Sequence, residues 1–78
     1  MECVFLVVSS ITYALKAKAV FEDYSIACRI EKIRNVAVLK GCGYGIRISR
    51  SDKSRSLALL RREGLRVVDI IDCTDGES

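Results

Sequence analysis

The chain is organised around residues 41–48, which read GCGYGIRI. From residue 44 onward, apolar side chains alternate with glycine or arginine, a pattern that predicts a half-buried β-strand ending near residue 49. The glycines at the start of this stretch let the backbone approach another group closely and adopt conformations that a side chain forbids. Cys42 lies between Gly41 and Gly43, where we expect a thiol to stay accessible. We therefore take Cys42 as the candidate reactive residue.

The composition is that of one small globular domain. The chain has 78 residues, of which 50% are hydrophobic and 29% are charged, with a net charge of +3 that mildly favours anionic partners. We expect a single domain over residues 1–78, with an ordered core at about 3–73 and a polar tail at 74–78. Because no apolar run approaches the roughly 20 residues that cross a bilayer, we expect a cytoplasmic protein that does not bind membranes.

The cysteine and histidine content limits the chemistry. The four cysteines are widely spaced, no CxxC pair occurs, and the chain contains no histidine. The absence of histidine excludes the Cys-His and Ser-His dyads of familiar hydrolases. A zinc site would have to gather all four distant cysteines, so we expect no metal and no cofactor.

The residues around the central stretch predict five further elements. Ser9 or Ser10 is placed to cap the first helix, and Gly64 is placed to end the second. Residues 32–40 fit either an extension of the second strand or the return loop of a long hairpin. The predicted elements are strands at 3–8, 26–31, 42–49 and 65–72, with helices at 11–24 and 51–62.

Periodicity within these elements predicts their buried faces. Cys28 falls on the apolar face of the second strand, where we interpret it as a small buried hydrophobe. The last strand has the charges of a sheet edge. On the first helix Lys16 and Asp23 lie opposite an apolar face, which is formed by Tyr13, Ala14, Ala17, Val20, Phe21 and Tyr24.

The predicted order β-α-β-β-α-β is typical of the α+β, two-layer, ferredoxin-like split βαβ fold, with antiparallel strand order 4-1-3-2. In that arrangement the third strand starts at the end of the sheet where the first strand finishes. Cys42 is then expected beside Ser9, Ser10 and the start of the first helix, whose dipole lowers the pKa of a thiolate. Gly41, Gly43 and the two serines are the predicted binding residues. Alternatively, the glycines only shape a bulge and Cys42 fills a gap.

The same topology makes secondary predictions for other residues. Cys3 and Cys73 are expected to lie close together on the opposite rim, as free thiols that oxidation would bridge. Lys40 or Arg47 is a candidate for holding an anion near Cys42.

The chain resembles a family of small bacterial and archaeal selenium/sulfur carrier-like proteins. Three features carry the resemblance: the apolar first strand running into Ser9 and Ser10, the helical segment ALKAK at 14–18, and Cys42-Gly43 opening an alternating strand. It covers about residues 3–73. The chain departs from the family in lacking a proline ahead of the cysteine and in having alanine, rather than an acidic residue, on both sides of Lys18.

The resemblance implies a carrier that holds sulfur or selenium on Cys42 as a persulfide or selenosulfide. Its partners would be a cysteine desulfurase-like donor and an acceptor enzyme. A second hypothesis is a non-catalytic regulatory or interaction module that binds a small ligand or partner protein and pairs as a homodimer. RNA binding ranks last, because Phe5 and Tyr44 lack the surrounding basic-aromatic pattern of RNA-recognition domains.

Overall fold

A four-stranded antiparallel sheet with two helices forms the protein in the computed structural model, which describes residues 2–36 and 41–74. At residues 35, 36, 42 and 74 it describes the backbone alone. The elements are β1 (Glu2–Val8), α1 (Ile11–Asp23), β2 (Arg29–Val36), β3 (Gly41–Ser49), a 3-10 turn (Arg50–Asp52), α2 (Lys53–Arg62) and β4 (Asp69–Thr74). The predictions for residues 37–40 and for the tail beyond residue 74 lie outside the described residues.

The strand order across the sheet is β2-β3-β1-β4, with each neighbouring pair antiparallel. Read from the other edge, this is the predicted order 4-1-3-2. The α+β class and the edge position of β4 are therefore confirmed. The central strands are β1 and β3, which carry the apolar run and the glycine stretch.

The core lies between the sheet and the two helices. Alternate residues of β1 (Val4, Leu6 and Val8) are fully buried there, together with α1 and α2 side chains. Val7 is also fully buried but is not a member of that core, so β1 has a buried side chain on the other face of the sheet as well, where Phe5 is half-buried. The helices therefore share one face of the sheet.

Helix α1 begins as predicted and buries a narrower face than predicted. The Ser10 side chain accepts a hydrogen bond from the Tyr13 backbone N–H at 3.2 Å, which makes Ser10 the N-cap. The small residues Ala14 and Ala17, with Phe21, are buried against the sheet. The prediction that Tyr13 and Tyr24 are buried is wrong, since they are 42% and 41% exposed. Tyr24 is the C-cap that follows the last helical residue, and at both positions the phenol keeps contact with water.

Helix α2 starts at Lys53, after the 3-10 turn, rather than at the predicted residue 51. The hydroxyl of Ser51 lies 3.0 Å from that of Ser49, so it is used within the turn and not as a cap. The N-cap is Asp52, whose side chain makes no capping hydrogen bond among the described residues. Gly64 follows the helix with a φ of 73°, which confirms the predicted glycine stop.

Two strands start later than the sequence predicts, for a shared reason. The Ile26 N–H donates to the Phe21 carbonyl oxygen at 2.8 Å, and the Leu65 N–H donates to that of Leu60 at 2.9 Å. Both bonds close the C-terminal turn of the preceding helix, so the residues just after it cannot join the sheet at once. The strand predicted at 26–31 is therefore β2 at Arg29–Val36, and that predicted at 65–72 is β4 at Asp69–Thr74.

Cys3 and Cys73 lie directly opposite each other on β1 and β4 and are joined by a disulfide, with a Cα–Cα distance of 5.1 Å. Their predicted proximity is confirmed, and the expectation of two free thiols is wrong. Asp72 immediately precedes Cys73 on β4, and the Arg50 guanidinium lies 3.4 Å from its carboxylate and 3.0 Å from that of Glu2. The start of β1 is thus attached to β4 by a covalent bond and an ion-pair group.

Candidate functional site

The start of β3 and the end of β1 lie at the same end of the sheet. Val8 is directly opposite Tyr44, so the backbone of Cys42 lies two residues beyond the last pair of the β1–β3 ladder. The chain from β1 enters α1 at this same end. The side chain of Cys42 lies outside the described residues, so its direction and environment stay a prediction.

The glycine stretch pairs with the end of β2 through an irregular register. Gly43 is opposite Ile33 and Gly41 is opposite Val36, so two residues of β3 are matched by three of β2. Gly43 is buried and Gly41 is half-buried. The extra residue forms a bulge in β2, opposite the glycines and not within them. The alternative interpretation placed a bulge in the glycine stretch itself, whereas the irregularity lies in the facing strand β2.

Gly45 has a distinct packing role. A Cβ atom at Gly45 would lie 3.0 Å from both Ile33 Cγ1 and Phe5 Cδ1. Those two side chains therefore cover the glycine from the neighbouring strands, on the side of the sheet that faces away from the helices. Close side-chain approach accounts for this glycine without a ligand.

The two candidate serines at the start of α1 differ in their surroundings. Ser10 is half-buried and its hydroxyl is occupied by capping, while Ser9 is exposed. The backbone N–H of Tyr13 already donates its hydrogen bond to the Ser10 cap. An anion at this helix end would therefore be bound by the backbone N–H groups of Ile11 and Thr12. The local positive potential of the helix end is independent of the cap.

Of the two basic candidates, Arg47 does not lie at this end of the sheet. Arg47 pairs with Phe5 and Arg29 five residues along β3 from Cys42, a separation of roughly 17 Å at the rise of a strand. That distance exceeds the reach of an arginine, so the prediction that Arg47 supports an anion at Cys42 is wrong. Lys40 lies outside the described residues.

A second cysteine site at the opposite end of the sheet was not predicted. Cys28 is a free thiol at the edge of a shallow cavity of about 370 Å³, whose lining also includes Cys3, Arg29 and Arg47. Burial, with a smaller contribution from the Glu22 carboxylate, raises the pKa of Cys28 above the ordinary cysteine value. The thiol therefore stays protonated and weakly nucleophilic. Cys28 packs against the core, but it is half-buried rather than buried as predicted. The alternation of strand residues identifies its face but not this cavity.

A larger groove of about 600 Å³ lies between α2 and β4. Apolar side chains line most of it, including Leu57, Leu60, Leu65 and Ile70, with Arg61 and Asp69 at its margin. It results from the late start of β4, which leaves residues 65–68 as an irregular connection. None of its lining residues was a predicted site residue.

Within residues 2–36 and 41–74, no group of three or more cysteine, aspartate or glutamate side chains is arranged to bind a metal ion. The helices described in this part of the chain are too short and too polar to cross a membrane. A scan against known protein-family models finds no match to the chain, and no curated protein matches its sequence.

Proposed function

We propose that this protein is a cytoplasmic sulfur or selenium carrier of ferredoxin-like split βαβ fold, in which Cys42 carries the atom as a persulfide or selenosulfide. The donor is an enzyme persulfide of the cysteine desulfurase type, and the acceptor is a second enzyme. Gly41, Gly43, Ser9 and the start of α1 form the surroundings of the carried atom. The protein itself needs no metal and no other cofactor.

The register of β1 and β3 is the observation that best supports this proposal. It brings the backbone around Cys42 to the end of the sheet where α1 begins, since Val8 lies opposite Tyr44. The partial positive charge at a helix start stabilises a nearby anion. Both the thiolate of Cys42 and the persulfide that it would form are anions, so the same feature favours acceptance and retention of the sulfur.

The transfer is a thiolate substitution at sulfur. The Cys42 thiolate attacks the terminal sulfur of the donor's persulfide, a new sulfur–sulfur bond forms, and the donor's own sulfur–sulfur bond breaks. The donor leaves as a thiolate, so the step requires no oxidant or reductant. Release to the acceptor repeats the same exchange in the other direction.

The experiment is intact-protein mass spectrometry without reductant, after incubation with a cysteine desulfurase and cysteine. We expect the wild type to gain the mass of one sulfur atom, which reductant removes. Cys42→Ser should lose this gain, and the matched control Cys28→Ser should retain it. A sulfur adduct on Cys28 or on neither thiol would overturn the proposal.

A second candidate, a binding module without chemistry, is favoured by the side of the sheet that carries no helix. Ile71 on this side is 36% exposed, and Phe5 is partly exposed beside it. A module of this kind should keep its partner after Cys42→Ser, whereas a carrier loses its activity. The same sulfur-loading experiment therefore separates the two functions.

A further inference from the structure

The side of the sheet facing away from the helices is called here the open face. Side chains alternate between the two sides of a strand. Because Val4, Leu6 and Ile46 belong to the core under the helices, the residues between them belong to the open face. Its accessible apolar residues include Phe5, Ile33 and Ile71, while Val7 lies on this face but is fully buried.

The strand register arranges the open face in rows that run across the sheet. One row contains Arg29, Arg47, Phe5 and Ile71, each opposite the next. The adjoining row contains Glu31, Gly45, Val7 and Asp69. Each row carries an apolar side chain on β1, and on β2 the two rows carry opposite charges.

This arrangement is complementary to itself. A twofold axis that lies in the interface and runs across the strands, between the two rows, exchanges one row with the other. Arg29 of one copy then faces Glu31 of the second copy, and the reverse contact occurs by symmetry. Phe5, which is partly exposed, lies near the centre of this interface in each copy, whereas Val7 is fully buried within its own chain and offers the partner no contact. A twofold axis along the strands would instead set Glu31 against Asp69, an unfavourable pairing of two carboxylates.

We propose that the open face binds a second copy of this chain, in a face-to-face dimer with its twofold axis between the Arg29 row and the Glu31 row. The two opposite charges that this symmetry matches, with the partly exposed Phe5 near the centre, favour a second copy as the occupant. None of these contacts involves Cys42, so the dimer is independent of the chemistry proposed for that residue.

The dimensions of the molecule fit such a partner. The Cα atoms occupy 33 × 31 × 16 Å, so the chain is about half as thick as it is wide. Packing two sheets about 10 Å apart gives four layers and covers the open face of both copies. Four strands at about 4.8 Å spacing and six residues of length give a projected contact of roughly 400 Å² on each copy. This small area predicts a weak, concentration-dependent dimer.

The test is sedimentation equilibrium of the full chain over a concentration series at low salt. We expect a reversible monomer–dimer equilibrium in the wild type. Arg29→Glu and Glu31→Arg should each raise the dissociation constant at least tenfold, because each reversal creates two like-charge contacts. The double variant Arg29→Glu/Glu31→Arg should return to within about threefold of the wild type, since the symmetry restores both pairs.

Arg62→Glu, on the exposed surface of α2, is the matched control and should leave the equilibrium unchanged. Far-UV circular dichroism checks that each variant is folded. As a measurement that needs no variant, added salt should weaken the wild-type dimer. A wild type that stays monomeric at about 1 mM, a dimer insensitive to salt, or a double variant as weak as the single ones would each overturn the proposal. All of these outcomes are independent of sulfur loading on Cys42.

Discussion

Removal of the disulfide between Cys3 and Cys73 should destabilise the protein substantially. The two residues are separated by 70 positions in the chain, so the bond closes almost the whole molecule into a loop. In the chain-entropy model, a loop of that size lowers the entropy of the unfolded state by about 15 cal/mol/K, or about 4 kcal/mol at 25 °C. The folded state loses little on reduction, because Cys3 is only 5% exposed and stays packed between its neighbours. For a domain of this size the melting temperature should fall by roughly 15–30 °C.

The assay is urea unfolding followed by far-UV circular dichroism, with and without dithiothreitol. Oxidised wild type should be about 4 kcal/mol more stable than reduced wild type. Cys73→Ser should match the reduced protein and should not respond to dithiothreitol, whereas the control Cys28→Ser should respond as the wild type does. A difference below about 1 kcal/mol between the oxidised and reduced wild type would refute the reasoning, because the unfolded chain would then gain little freedom from reduction.

Three smaller effects follow from local geometry. Ser10→Ala should lower the free energy of unfolding by about 1 kcal/mol by removing the α1 cap, with Ser9→Ala as a neutral control in urea unfolding. Gly64→Ala should cost about 1 kcal/mol in the same assay, because φ is 73° there although no atom lies within 4 Å of an added Cβ; an unchanged midpoint would contradict this. Since the pKa of Cys28 is raised, mainly by burial, its iodoacetamide reaction should require a higher pH than that of an unstructured cysteine peptide, as measured by peptide mapping. The unfolded thiol ionises first, so the stability that Cys28 contributes should fall as pH rises from the ordinary cysteine pKa through the higher folded value. Equal changes in the free energy of unfolding of the wild type and of Cys28→Ser above pH 9 would contradict this expectation.

The main features of the fold could be predicted from residue patterns. The continuous apolar run of β1 and the alternation after Tyr44 define the central strands, because a buried strand and a half-buried strand differ in period. Strand order then follows from the element sequence. The residue patterns do not show where the C-terminal turn of each helix ends and the next strand can begin. The hydrogen bonds of Ile26 and Leu65 to their helices determine where β2 and β4 start.

The candidate site could be predicted only in part. Antiparallel pairing was sufficient to bring the start of β3 to the end of β1, and it also brought Cys3 opposite Cys73. Arg47 could have been rejected from the sequence, because five residues along the predicted strand already place it roughly 17 Å from Cys42. The cavity beside Cys28 depends on three segments that are remote in sequence, so no local motif identifies it.

The bond between Cys3 and Cys73 also makes the polypeptide a covalent ring for nearly its whole length. A single cut by a protease anywhere between these two residues would open the ring without separating it into two molecules. Such a nicked chain would keep its mass on a non-reducing gel and would divide into fragments only when a reductant is added. Cleavage of the backbone and separation of the two fragments are therefore distinct events. Whether the fragments separate depends on whether the surroundings reduce the disulfide.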